Sequence, residues 1–416
     1  TVLTRNEEEI TRRAGRPIVI TMAASREPDR ARELCPGAEI TDNALDIARN
    51  PDIDIVVELI GGTTIAKEIV LTAIENGKHV VTANKKLLAE YGNEIFAKAQ
   101  EKGVMVAFEA AVAGGIPIIK ALREGLTANK IEWVAGIING TSNFILTEMR
   151  DKGLAFADVL KEAQRLGYAE ADPTFDIEGH DAAHKLTIMA ALAYGIPMQF
   201  DKAYLEGISK LTARDIRYAE ELGYRIKLLG ITRRTDKGVE LRVHPTLIPE
   251  KRLIANVDGV MNAVMVKGDA VGATMYYGAG AGSLPTASAV VADIVDVTRL
   301  ATADPEHRVP HLAFQPDRLA DLAILPISEV ESSYYLRVNV IDRAGVLAEL
   351  TRILASEGIS IEALIQKGSE REAEAEIVLL THRVVEKHVN AAIAQIEALD
   401  SVTGSVTKLR MEALNG

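Results

Sequence analysis

Two hydrophobic rhythms alternate along the first hundred residues. Apolar runs of strand length occur at Pro17–Ala24, Asp54–Ile60 (closing on Gly61-Gly62), Lys78–Thr82 and Val104–Phe108. Between them, apolar residues recur every three to four positions, as in Thr64–Asn76 and Leu87–Lys102. Asn76-Gly77 and Gly103 supply glycine stop signals for those two helices. Strands that are apolar throughout, bridged by helices, predict a parallel sheet buried on both faces. Residues 1–108 are therefore expected to form an α/β unit, a Rossmann-type doubly wound sheet suited to a dinucleotide. Thr1–Ile10 is already helical in character with no strand before it, so the chain is expected to begin inside the first helix of a larger domain.

The rhythm changes after Phe108. Residues 109–275 open on the Gly-rich turn Glu109–Pro117. They continue with a strand at Trp133–Gly140, a helix at Ser142–Lys152, mainly helical pattern to about Leu229, and strands at Val239–Val243 and Gly259–Val266. This predicts an α+β substrate-binding and dimerisation domain, its sheet available to serve a subunit interface. Gly278-Ala-Gly-Ala-Gly then leads into a helix, Ala287–Leu300, expected to fold back so that about 276–325 completes the first unit. A stretch rich in Pro, His and Asp (304–318) reads as a linker. Residues 330–416 follow the order βαββαβ of a ferredoxin-like module.

Composition narrows the classes. A chain of 416 residues has room for two to three such domains. A net charge of −12 without like-charge runs argues against nucleic acid and anionic membrane partners. The single cysteine, Cys35, excludes an intramolecular disulfide framework and fits a reducing compartment. No apolar run reaches membrane length and no signal segment opens the chain, so a soluble cytoplasmic protein is expected.

Candidate chemistry concentrates in Asp176-Ile-Glu-Gly-His-Asp181-Ala-Ala-His-Lys185. Asp181 and Lys185 share a helical face, which by itself describes an ordinary helix pair worth a few tenths of a kcal/mol. Upstream lies an acidic loop, Gly167-Tyr168-Ala-Glu170-Ala-Asp172-Pro173, and Lys85 follows a strand in Thr82-Ala-Asn-Lys85. An isolated lysine at such a place is usually a solvated surface residue. His180 and His184 have the spacing of a helical zinc pair, but Asp181 stands where the glutamate of that motif belongs and no third ligand suggests itself.

With Asn139-Gly-Thr-Ser-Asn143, these segments in this order make nearly the whole chain resemble the homoserine dehydrogenases. The turn Asp342-Arg-Ala-Gly345-Val346-Leu, with Gly358-Ile-Ser-Ile after the helix, resembles an ACT domain, as in the long bacterial forms. The resemblance implies NAD(P)-dependent interconversion of L-homoserine and L-aspartate 4-semialdehyde. It implies Lys185 as acid/base with Lys85 as partner, each lysine lowering the other's pKa if both face one substrate. It further implies that Glu170, Asp176, Asp181, Tyr168, Gly140 and Thr141 bind substrate or orient the lysine. Ile60, Gly61, Thr82, Lys85, Gly278 and Gly280 are expected at the cofactor. Arg26 stands where a carboxylate would favour NAD, and so favours NADP. Glu109, Val112, Gly114 and Ile116 correspond to a structural Na+ loop. Asp342, Gly345, Val346 and Gln366 frame an effector site, expected to take threonine, and assembly as a homodimer or homotetramer is implied.

One departure stands out. The Gly-x-Gly-x-x-Gly turn with which the family opens is missing, so either the chain begins downstream of it or it binds NAD(P) weakly; the first is expected. The rival from another class is a catalytically silent amino-acid sensor on a dehydrogenase scaffold. A weaker rival is a related dehydrogenase acting on another amino acid or semialdehyde.

Overall fold

The computed structural model describes residues 1–368 and 374–415. Its first unit is Rossmann-like, with parallel strands β1 (Met22–Ala24), β2 (Glu39–Thr41), β3 (Ile55–Glu58), β4 (His79–Thr82) and β5 (Val106–Ala107). They form two separate sheets, β1-β2 and β3-β4-β5. The run Pro17–Ala24 is thus not the buried strand its composition predicts. Only Met22–Ala24 is strand, and Val19 and Ile20 are 71% and 45% exposed. β1 pairs with β2 alone, and of the apolar side chains before it Ile18 packs against the core while Val19 and Ile20 face outward. The helices Thr64–Glu75 and Lys85–Lys102 do bury their apolar faces, through Ile69, Val70, Ile74, Leu88 and Ile95. Gly103 ends the second in the left-handed conformation that glycine adopts without strain.

The remaining strands are β6 (Ile131–Ile137), β7 (Tyr204–Leu205), β8 (Tyr224–Thr235), β9 (Gly238–Pro249), β10 (Met261–Gly268), β11 (Gly272–Ala279), β12 (Glu331–Ile341), β13 (Ile361–Gly368), β14 (Glu374–Thr381), β15 (Val384–Val385) and β16 (Thr407–Met411). They join one continuous sheet, ordered β11-β10-β6-β8-β9-β16-β12-β14-β13. The splice between its halves is a parallel pairing, Arg410 opposite Thr246 and Met411 opposite Leu247. One half belongs to the catalytic domain and the other to the ferredoxin-like ACT module, whose helices are Val346–Ser356 and Glu386–Glu397. One ACT face buries Leu336, Val338, Ile377 and Leu379 against its own helices. The opposite face sends Tyr335, Val378, Leu380, Leu409 and Met411 into the main core.

Across the main core lies His180–Tyr194, a helix buried along nearly its whole length. The later helix Ser283–Leu300 returns to the first unit. It seats Val290, Ile294 and Val297 against Val81 and Ala107, and Val291 and Val295 against Val2 and Ile10.

Candidate active site

Each candidate lysine lies in the N-terminal part of a helix. Lys85 opens Lys85–Lys102, whose N-cap Asn84 accepts from the Leu87 amide. Lys185 lies one turn into His180–Tyr194, which Gly179 starts with φ +86°. The helices pack so that both ammonium groups meet one carboxylate. Asp181 Oδ2 is 2.7 Å from Lys185 Nζ, and Oδ1 is 3.0 Å from Lys85 Nζ. Asn139 Nδ2 donates to Asp181 Oδ2 at 2.9 Å and to Asp176 Oδ1 at 2.8 Å, while its Oδ1 accepts the Ser142 amide. Lys185 also donates to the Ile138 carbonyl at 2.7 Å.

Burial opposes charge on Lys185, Asp181 and Asp176. It pushes the Lys185 pKa down and Lys85 adds repulsion, against the pull of Asp181. For Asp181 burial acts upward, but Lys185 and Lys85 outweigh it and hold the carboxyl well below the usual carboxylate range. Asp176 is pushed up, first by burial and then, against the Asn139 hydrogen bond, by the neighbouring Asp181 charge. The geometry yields an anion fixed between two cations, one of them a lysine inclined to lose its proton.

The substrate-side residues predicted from the sequence separate here. Asp176, Gly140 and Thr141 stand beside the cluster: Thr141 donates to the Tyr168 carbonyl, and Ser142 to the Asp176 carbonyl. Asp181 is fully engaged by the lysines and Asn139, which makes it their anchor before any ligand arrives. Glu170 is exposed and forms no ion pair with either lysine among the described residues. Tyr168 sets its ring at a tilt against Phe144, and the residue is 44% exposed. His184 is buried between Phe175 and Phe200, whereas His180 is exposed. Asn139 caps the helix Gly140–Lys152, and its bridging amide follows from that role, since capping engages the oxygen and frees the nitrogen.

At the C-terminal ends of β1, β3 and β4 lie the loops where a parallel sheet receives its ligand. Arg26 follows β1 and is exposed. After β3, Glu58 accepts the amides of Ile60 and Gly61 and the Thr82 hydroxyl, which fixes the turn. Asn84 Nδ2 ties that turn down by donating to the Gly62 carbonyl at 2.7 Å. Gly61 has φ +80° and open space where a Cβ would stand, and Ile60 is 53% exposed. An open glycine turn with an apolar side chain facing outward fits a dinucleotide's sugar and ring. Thr82 is fully buried with its hydroxyl bonded to Glu58, so it shapes this crevice instead of lining it. Glu58 was missed in the sequence, where it is one polar residue inside the apolar run Asp54–Ile60.

The second glycine loop is fixed mainly by the protein itself. A Cβ on Gly114 would come within 2.6 Å of the Gly280 carbonyl oxygen, and one on Gly280 would overlap the Asn262 amide. Gly278 faces Ile116. The Glu109 carboxylate accepts the amides of Ile119 and Lys120, one on each oxygen. Burial raises the Glu109 pKa against those two amides. In the ACT module, Asp342, Gly345, Val346 and Gln366 line one cavity of about 290 Å³.

Three family models divide the chain. A homoserine dehydrogenase NAD-binding model matches residues 2–109, a homoserine dehydrogenase model 117–295, and an ACT model 334–401. A homoserine dehydrogenase of Neisseria gonorrhoeae is 67% identical over 414 residues, covering 100% of this chain and 95% of the relative. The crystal structure of a homoserine dehydrogenase from Thiobacillus denitrificans superposes with a TM-score of 0.96 at 71% identity, covering 100% of this chain and 95% of that one. A hyperthermophilic archaeal homoserine dehydrogenase solved with NADPH superposes at 0.56 with 28% identity, over 65% of this chain and 82% of that one.

Proposed function

The chain belongs to the homoserine dehydrogenase family, and from that premise we propose that Lys185 takes the hydroxyl proton when L-homoserine is oxidised to L-aspartate 4-semialdehyde. The carrying observation is the geometry at Lys185 Nζ. A neutral amine has two N–H bonds and one lone pair. The Ile138 carbonyl and Asp181 accept the two N–H bonds, and the side chain, 10% exposed, leaves the third direction for the substrate oxygen. A bound nicotinamide supplies the hydride acceptor. Lys85 keeps the local field positive, steadies Asp181 and disfavours protonation of Lys185, as a base for alcohol oxidation requires. Asp176 and the Gly140-Thr141 turn hold the amino end of the substrate, with Tyr168 and Glu170 at the rim of the pocket.

The cofactor is read as NADP, with NAD also accepted. Arg26 at the end of β1 offers a cation to a 2′-phosphate, and the archaeal relative was solved with NADPH. Ile60, Gly61 and Gly278 line the dinucleotide path, with Thr82 and Gly280 shaping it. A Na+ ion on the carbonyls of Val112, Gly114 and Ile116, close to Glu109, would brace the glycine loops. Threonine is the proposed ligand of the ACT cavity, and a homodimer or homotetramer in the cytoplasm the proposed state. No helix among the described residues is long and apolar enough to cross a membrane. The test is homoserine-dependent reduction of NADP+ by wild type and Lys185→Ala: a near-normal kcat in the variant would remove Lys185 from the role. A silent sensor would have no need of two lysines on one buried carboxylate.

A further inference from the structure

Arg410 lies on β16, in the C-terminal module, yet is completely buried against the catalytic domain. Its guanidinium grips Glu386 at 2.7 and 2.6 Å within the module. On the other side it holds Glu206 Oε2 at 2.6 Å and the Tyr204 hydroxyl at 3.1 Å, and Tyr204 donates to the same Glu206 oxygen. Glu206 belongs to the segment on which the active-site loop is seated. The Ile208 amide donates to the Ile177 carbonyl at 2.9 Å. A Cβ on Gly207 would fall 2.6 Å from that carbonyl oxygen, and one on Gly179 would lie 3.0 Å from Val243 and 3.9 Å from the Glu206 carbonyl. Ile177 follows Asp176, and Gly179 starts the helix carrying Asp181 and Lys185.

We infer that Arg410 is a positioning residue for the reaction: through Glu206 it seats the 176–179 loop, making the C-terminal module part of the scaffold that shapes the homoserine side of the pocket. Two hydrogen bonds, Arg410 to Glu206 and the Ile208 amide to the Ile177 carbonyl, link the guanidinium through one short segment to the residue after Asp176, and Gly207 approaches that carbonyl too closely to admit a side chain. An arginine suits this place because its fork satisfies two carboxylates at once and cannot lose its proton. The inference rests on the proposed substrate role of Asp176.

The test uses the full chain with Arg410→Met, Arg410→Lys, Glu206→Gln and the double variant Arg410→Met/Glu206→Gln, with Asp176→Asn as a control. Arg410→Met and Glu206→Gln should each raise the KM for homoserine about tenfold while the KM for NADP+ moves less than about twofold. The double variant should be no worse than the poorer single, and Arg410→Lys should recover part of the loss. A lowered Tm with the homoserine KM unmoved, or equal rises in both KM values, would overturn the inference. If Arg410→Met does not fold, Glu206→Gln decides, since that side chain is partly exposed. A raised KM in Asp176→Asn with unmoved values in Arg410→Lys and Glu206→Gln overturns the positioning role alone. An unmoved homoserine KM in Asp176→Asn removes Asp176 from the pocket and overturns the inference together with the reading on which it rests.

Discussion

Among the buried carboxylates that bridge two cations in this molecule, two make an instructive contrast. Asp181 sits between Lys185 and Lys85 at the catalytic helix. Glu412 sits between Arg242 and Arg233 where the C-terminal module meets the catalytic domain. Burial opposes charge at both, and both carboxyls are nonetheless held low by their cations, Glu412 at about 2. The difference lies in the cations. Lysine is a point charge whose proton can be driven off by desolvation, while arginine stays charged in any protein environment. One arrangement can therefore exchange a proton, and the other can only hold two domains together.

The largest expected effect is on the lysine side. Lys185→Ala should reduce kcat by about 10²–10⁴-fold with an unchanged circular dichroism spectrum, because the base goes and the packing stays. The arginine side should fail in stability instead. Glu412→Ala leaves Arg242 and Arg233 with Glu240 as the shared anion that remains and should destabilise the chain by about 1.5–3 kcal/mol in urea unfolding. If Glu412→Ala were neutral in stability, the distinction between the two clusters would collapse.

Acid sharpens the same contrast. The folded pKa of Glu412, at about 2, lies below its ordinary 4.5, so its contribution is complete above about 4.5 and is lost as pH falls toward 2. Wild-type stability should decline through that window, and the Glu412→Ala variant should decline less over it. A much smaller effect is expected at the cofactor end. Arg26→Ala should raise the KM for NADP+ about tenfold and leave that for NAD+ nearly unchanged, the loss of one charged hydrogen-bonding partner. Equal effects on the two cofactors would take Arg26 out of the choice.

How much of this was legible in the sequence depended on range. Asp181 and Lys185 are four residues apart, so helical geometry alone puts them on one face. Lys85 could be joined to them only through the resemblance, since a packed pair of helices a hundred residues apart leaves no local trace. The β16–β9 splice was hidden for the same reason, as was the latch at Arg410. The ferredoxin-like order was readable because each strand and helix of the module carries its own rhythm. The run Pro17–Ala24 misled because composition reports what a segment could bury and not whether a neighbour exists to cover it. Val19 remains exposed although its sequence is that of a core strand. Glu170 shows the converse: an acid in the right motif need not reach the lysine.

The most direct test of the central claim is the pH profile of kcat/KM for homoserine oxidation in wild type, Lys85→Met and Asp181→Asn. Lys85 pushes the Lys185 pKa down and Asp181 pulls it up. The rising limb should therefore move to higher pH in Lys85→Met and to lower pH in Asp181→Asn. A limb that stays in place in both variants, or moves the same way in both, would contradict Lys185 as the proton acceptor tuned by its two neighbours.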